Sequence, residues 1–152
     1  MYLELIPKLK EIFESVVIHE IPEGDDLMLN VIPHPLGEDE YPDNYPSLIF
    51  YPNDYTNEFS SNKSNFKNIK FSAILMVNAE NLTNDQLFTF TLPNAADKVV
   101  EAVDNQWNGG RIDGHLVWIR TDVGVWGKSV NDTGEVGFVD MDILVKFQTK
   151  VD

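Results

Sequence analysis

Two stretches of this 152-residue chain alternate apolar and polar side chains with period two. Between Phe66 and Asn78, Ile69, Phe71, Ala73, Leu75 and Val77 fall on one side, with Lys70, Ser72 and Asn78 on the other. Near the C-terminus, Val139, Met141, Ile143, Val145 and Phe147 alternate with Asp140, Asp142, Lys146 and Gln148. Successive side chains of a strand point to opposite faces, so each stretch specifies a sheet with one apolar face. Ile74 and Met76 lie on the second face of the earlier strand, which predicts partial cover there. An apolar sheet face must be buried against another layer.

Two amphipathic segments can supply that layer. Placed at 100° per residue, Tyr2, Leu5, Ile6, Leu9, Ile12, Phe13, Val16 and Val17 fall within an arc of roughly 140°. Pro7 lacks an N–H and is tolerated only in a first turn, which predicts a helix start near Glu4 or Leu5. A second helix is predicted near Ala95–Trp107, with a stripe of Ala96, Val99, Val100, Val103 and Trp107. Asn94 is its expected N-cap, Asp97 suits its first turn, and Gly109-Gly110 is the expected stop. Thr83–Phe88 reads as a short extra helical turn.

The remaining segments are shorter. Residues 19–46 are rich in proline and glycine, and only Leu27–Ile32 has strand composition, with flanking prolines that suggest a sheet edge. Leu36–Tyr45 reads as an exposed loop, and Ser47–Tyr51 as a short apolar strand. Asn53–Ser64 reads as a polar loop or hairpin tip. Leu116–Arg120 and Val123–Val130 read as two strands, and Asn131-Asp132-Thr133-Gly134 as a hairpin turn. The expected fold is therefore α+β: one domain spanning 1–152, with two main helices packed against a mostly antiparallel sheet.

Charge narrows the function. From Glu11 through Asn62 the chain carries twelve Asp and Glu residues and no Lys or Arg, and the formal net charge is -14. Phosphate-backbone binding needs clustered cations, and an anionic membrane surface attracts them too, so both partners are disfavoured. Such a surface repels nucleic acid, receives a basic partner, or simply keeps the protein in solution. With no cysteine, disulfides, thiolate metal sites and a cysteine nucleophile are excluded together. Residues 1–7 lack the pattern of a signal peptide, and the longest apolar run, Ala73–Val77, is far short of the ~20 residues that span a bilayer. The expectation is a soluble protein of a reducing compartment, or one indifferent to redox state.

No constellation of catalytic residues stands out. His19, His34 and His115 have no helical two-ligand spacing, although scattered histidines can converge on a metal in space. Asp25-Asp26 and the pair Asp140 and Asp142 are the carboxylates worth testing as a metal or acid/base pair; a solvated strand face has the same spacing. Ser60-Ser61 lacks a nucleophile motif, and no glycine-rich loop precedes a helix. Lys63, Lys67 and Lys70 form a small basic cluster, suited to an acidic region of a neighbouring copy. Trp118 reads as core. Trp126, flanked by Val125 and Gly127, and Tyr45 are candidate interface anchors, as are Tyr41 and Tyr55. No cofactor is expected.

The whole layout resembles the tail terminator (tail completion) proteins of long-tailed bacteriophages. The residues that carry the resemblance are an opening helix ending at Val16-Val17, Tyr45-Pro46-Ser47-Leu48-Ile49-Phe50 after an acidic loop, and the strand Phe71–Asn78. They continue with the helix Ala95–Val103 and the closing strand Phe138–Phe147. The resemblance implies a structural virion protein rather than an enzyme. It implies a homo-oligomeric ring, typically hexameric, seated on the last ring of tail tube protein and offering a surface to the head connector or neck protein. DNA passes through the opening without specific binding, and the acids expected to face that channel or a partner are Glu38, Asp39, Glu40 and Asp43. The implied location is the virion, in the tail or neck, after synthesis in the host cytoplasm. Two other readings stay open: a phage neck or head-completion protein, and an acidic immunity or inhibitor protein that masks a basic toxin.

Overall fold

The computed structural model describes residues 2–59, 64–105, 111–112 and 115–150. It is an α+β fold. The chain runs α1 (Tyr2–Glu14), β1 (Val17–Ile18), β2 (Leu27–Met28), β3 (Asn30–Ile32), β4 (Ser47–Phe59) and β5 (Ser64–Asn78). It continues with α2 (Asn84–Gln86), a π turn (Leu87–Thr91), α3 (Leu92–Asn105), β6 (Arg111–Ile112), β7 (His115–Asn131) and β8 (Gly134–Lys150). Six strands form one sheet in the order β3-β4-β5-β8-β7-β6, and β1 and β2 form a separate ribbon. Every pair is antiparallel except β3 with β4.

The alternating residues of β5 and β8 are placed as their pattern requires. Phe71 stands opposite Ile143, Ala73 opposite Met141 and Leu75 opposite Val139, all buried on one face. Helices α1 and α3 cover that face with Leu5, Leu9, Ile12, Phe13, Val99 and Val103. At its centre Phe13 meets Phe50 at 5.5 Å between ring centroids, and Phe50 meets Phe71 at 5.9 Å. Tilted aromatic contacts of this kind add to simple area burial.

Helix α1 begins at Tyr2, earlier than Pro7 suggests, so the proline lies inside the helix. The apolar stripe explains this: Tyr2 packs edge-on against Phe71 at 6.5 Å, a tertiary contact that offsets one missing backbone bond. The second helical run is also longer than expected. It starts with a capping box in which Thr83 accepts from the Gln86 N–H while the Gln86 side chain accepts from the Thr83 N–H. Asn94 is therefore not an N-cap but lies within α3. The π turn falls directly before Pro93, where the missing N–H interrupts the regular ladder. The expected Trp107 contact and the Gly109-Gly110 stop lie outside the described residues.

Of the two readings of Asn53–Ser64, the hairpin holds and two other expectations are corrected: β4 continues to Phe59 and β5 begins at Ser64, with a bulge between Pro52 and Asp54. Pro52 stops no strand, since it lies on the side of β4 beyond the reach of β3. The two strands expected over residues 116–130 are one, β7, whose register shifts between Val123 and Trp126. That bulge absorbs Gly124 and Val125 and lets pairing resume. The stretch Leu27–Ile32 divides between two sheets, and only its second half, β3, takes the expected edge position.

The β7–β8 turn is the two-residue hairpin that its sequence encodes. Asn131 pairs with Gly134, and the Asn131 side chain accepts from the Thr133 N–H at 2.7 Å. Gly134 has φ +118°, and a Cβ there would run into the Glu80 side chain. Gly134→Ala is expected to destabilise the protein by about 1 kcal/mol or more in urea unfolding. Phe71→Ala, which empties the centre of the core, is expected to lower stability by about 3–5 kcal/mol in the same assay.

Candidate functional site

Parallel strands cannot be joined by a tight turn, so the connection from β3 to β4, residues 33–46, has to travel back to where β4 begins. It is fastened at its end, where Asn30 donates its N–H to the Pro46 carbonyl at 2.9 Å and the Tyr45–Pro46 peptide is cis. The Tyr45 hydroxyl also hydrogen-bonds Thr133 in the β7–β8 turn at 3.0 Å. Pro42 is buried. Ser47 and Ile49, which share the helix-free face of the sheet with Met76 and Ile74, are buried too.

Glu38, Asp39, Glu40 and Asp43 are all exposed on this connection. The Glu40 N–H closes a turn onto the Gly37 carbonyl at 3.1 Å, which gathers the first three. Among the described residues no ion pair or hydrogen bond engages their carboxylates. The Tyr45–Thr133 bond holds the end of the connection, two residues beyond Asp43, against the β7–β8 turn. Tyr45 is half-buried and braces the loop through its hydroxyl, and Tyr41 is half-buried as well. The Tyr55 side chain lies outside the described residues.

Toward the other end of the sheet cations and acids are interspersed, with Asp54 opposite Lys70 and Asp122 opposite Asp142. Lys67, Lys70, Arg120 and Lys146 lie on neighbouring strands there, and Lys70, Leu144 and Arg120 form one row across β5, β8 and β7. Lys70 reaches Asp142 at 3.7 Å, and Arg120 reaches Asp122 at 3.3 Å. Lys63, the first of the expected cluster, lies outside the described residues. Trp118 is not a core residue. It is half-buried on the helix-free face, 6.1 Å from the Phe66 ring, with the Lys146 ammonium 4.4 Å from the Phe66 centroid. Its strand pattern hid this, because Trp118 pairs with Lys146 while Val117 and Ile119 hold the core side. From Lys146 to Val136 is ten strand residues, or about 33 Å.

Trp126 is exposed, at 39% of its surface. It pairs with Val139 and so shares the helix-side face, just past the bulge. Val123, Val125 and Val130 on the same strand are exposed with it.

The titratable groups are used structurally. His19 Nε2 lies 2.5 Å from Asp26 Oδ1, across the β1–β2 ribbon. The His19 N–H donates to Asn94 Oδ1 at 3.2 Å, and the buried Thr91 hydroxyl donates to the Glu20 carbonyl at 2.6 Å. These bonds strap the ribbon to the start of α3, a role for His19 and Asn94 that no local sequence signal announces. The His34 ring nitrogen Nδ1 meets the Pro35 carbonyl at 2.9 Å, and the His115 side chain lies outside the described residues. Asp142 faces Lys70, while Asp140 is exposed on the same side. Among the described residues no group of three or more His, Asp or Glu side chains is arranged to hold a metal. No described helix is long and apolar enough to cross a membrane. An open groove of about 290 Å³ lies between Ser15–Val17 and the outer side of α3, lined by Lys98, Glu101, Ala102 and Asn105. Lys98 and Glu101 pair there at 3.9 Å, which leaves the groove without an unmatched reactive group.

Partial burial raises the Glu20 carboxyl above its ordinary value. The folded state therefore holds this proton more tightly than the unfolded chain, and stability falls as pH rises through the window above the ordinary glutamate value. Glu20→Gln is expected to remove that loss, raising the melting temperature at about pH 7 more than at about pH 4. Compared with known proteins, the chain matches no protein-family model, and no curated protein matches it significantly.

Proposed function

We propose that this chain is a structural virion protein that caps the tail tube of a long-tailed bacteriophage as a ring, ending tube polymerisation and providing the joining surface for the head connector. The observation that carries this reading is the difference in charge between the exposed acidic connection and the strands, which hold most of the cations. Glu38, Asp39, Glu40 and Asp43 are exposed on the 33–46 connection, and Lys70, Arg120 and Lys146 share the helix-free face of β5, β7 and β8, away from the β7–β8 turn. Each copy thus carries two different, complementary patches, which is what a head-to-tail contact requires if a ring is to close. Steering between opposite charges also favours that orientation over the alternatives.

The reading assigns no catalytic residue and no cofactor. Function comes from shape and potential. Acids turned toward a central opening repel the DNA backbone, so DNA slides through without being held. The partners are further copies of the chain, the tail tube protein and the head connector or neck protein.

The deciding experiment is the length of tails in particles assembled without this gene. Over-long tails are the expected outcome. Tails of normal length that fail to join heads would make the chain a neck or head-completion protein instead. A tight one-to-one complex with a basic toxin, with no ring in electron micrographs under any condition, would make it an immunity or inhibitor protein.

A further inference from the structure

Strand β7 has a partner on one side only. Strand β8 pairs with it along nearly its whole length, but β6 covers just Leu116 and His115 on the other side. From Val117 to Asn131 the outer backbone edge has no strand partner among the described residues. A long unpaired edge offers a row of N–H and C=O groups to any extended chain, and folded proteins usually blunt such an edge with charge, proline or cover.

This edge carries Arg120 and Asp122 before the bulge at Gly124–Val125, and from there to Val130 its charge is Lys128 alone. It contains no proline. Its stretch from Val123 to Val130 exposes Val123, Val125, Trp126 and Val130, with Val125 at 64% and Val130 at 76%. Half of the large apolar residues that the described surface exposes fall in these eight positions. The same stretch holds no acid at all, and its single charge, Lys128, is occupied by Glu135 at 3.4 Å and Asn84 at 3.2 Å. On a chain of net charge -14, two copies meet least repulsion where neither carries an acid.

The opposite edge of the sheet is closed to such an approach. Strand β3 covers β4 from Ser47 to Ile49, and beyond it β4 carries Pro52, which lacks a donor, and the acids Asp54 and Glu58. An edge-to-edge contact between copies is left with one apolar edge to use, and a contact of one patch with itself is two-fold.

We propose that the outer edge of β7 docks a second copy of this chain, the two β7 strands adding antiparallel to each other as a two-fold pair. Main-chain hydrogen bonds supply the continuity of the sheet, and Val125, Trp126 and Val130 supply the apolar contact. The pairing does not rest on the ring reading, because a two-fold contact cannot by itself close a cyclic ring. Normal-length tails leave it standing, and a monomer in the experiment below leaves the ring standing.

The test is sedimentation equilibrium of the intact chain across a dilution series, with amide hydrogen exchange at both ends of the series. A reversible dimer is expected, with the amides of residues 117–131 gaining protection as it forms. Val125→Lys and, separately, Val130→Lys are expected to weaken the dimer about tenfold or more, with an unchanged melting temperature at the dilute, monomeric end of the series. Leu3→Lys, at the 88% exposed apolar position on α1, is expected to leave it unaltered. A chain that stays monomeric throughout overturns the proposal. So does a dimer that survives both β7 substitutions, one abolished by Leu3→Lys, or one that forms without new protection in β7.

Discussion

Alternation in β5 and β8 sets five apolar side chains of each strand on one face, and those two strands are neighbours at the centre of the sheet. Water must be kept from that face, and the helices are arranged to do so. Helix α1 lays Leu5, Leu9, Ile12 and Phe13 over it from one side, and α3 lays Val99 and Val103 from the other. The ring contacts from Phe13 through Phe50 to Phe71 join helix to sheet at the middle. Burial of this size, at roughly 25 cal/mol per Å² of apolar surface, is the term against which local irregularities are small. That is why α1 tolerates Pro7 and why a π turn persists before Pro93.

The helix-free face shows how charge is distributed once the core is settled. Its cations Lys70, Arg120 and Lys146 lie among acids on the strands, and the ion pairs present, Lys70 with Asp142 and Arg120 with Asp122, join neighbours along or across strands. Exposed pairs of this kind contribute little to stability. The excess acid on the 33–46 connection is therefore not needed by the fold, and its location on a loop braced through Tyr45 keeps it presented rather than collapsed. Exposed, positioned loop residues are where partner recognition is usually carried.

Much of this architecture was legible in the residues. Period two identified β5 and β8 with their buried faces, the apolar stripes identified α1 and α3, and Asn131–Gly134 identified the hairpin. What misled were signals that act locally where tertiary contacts decide. Pro7 argued for a later helix start, yet Tyr2 gains Phe71 by being helical. Asn94 had the identity of an N-cap, but the Thr83 and Gln86 box lies upstream and wins. Polar residues after Asn53 resembled a loop because a strand that leaves the core loses its apolar side while keeping its ladder. Of the candidate site, the four acids and the exposure of Trp126 were readable from composition and flanking glycines. The open edge of β7 was not, since which strand lies at an edge is a property of the topology.

The pairing of β5 with β8 also governs how the chain reaches this state. Phe71 and Ile143 face each other across a ladder although nearly half the polypeptide separates them in sequence. Bringing such distant segments together costs loop-closure entropy before any contact compensates for it. The β7–β8 hairpin, joined by two residues, has a far shorter loop to close. Ribosomal synthesis sharpens the asymmetry: β5 emerges well ahead of its central neighbour and must wait, with Phe71 and Leu75 unsheltered, until the last strand has been made.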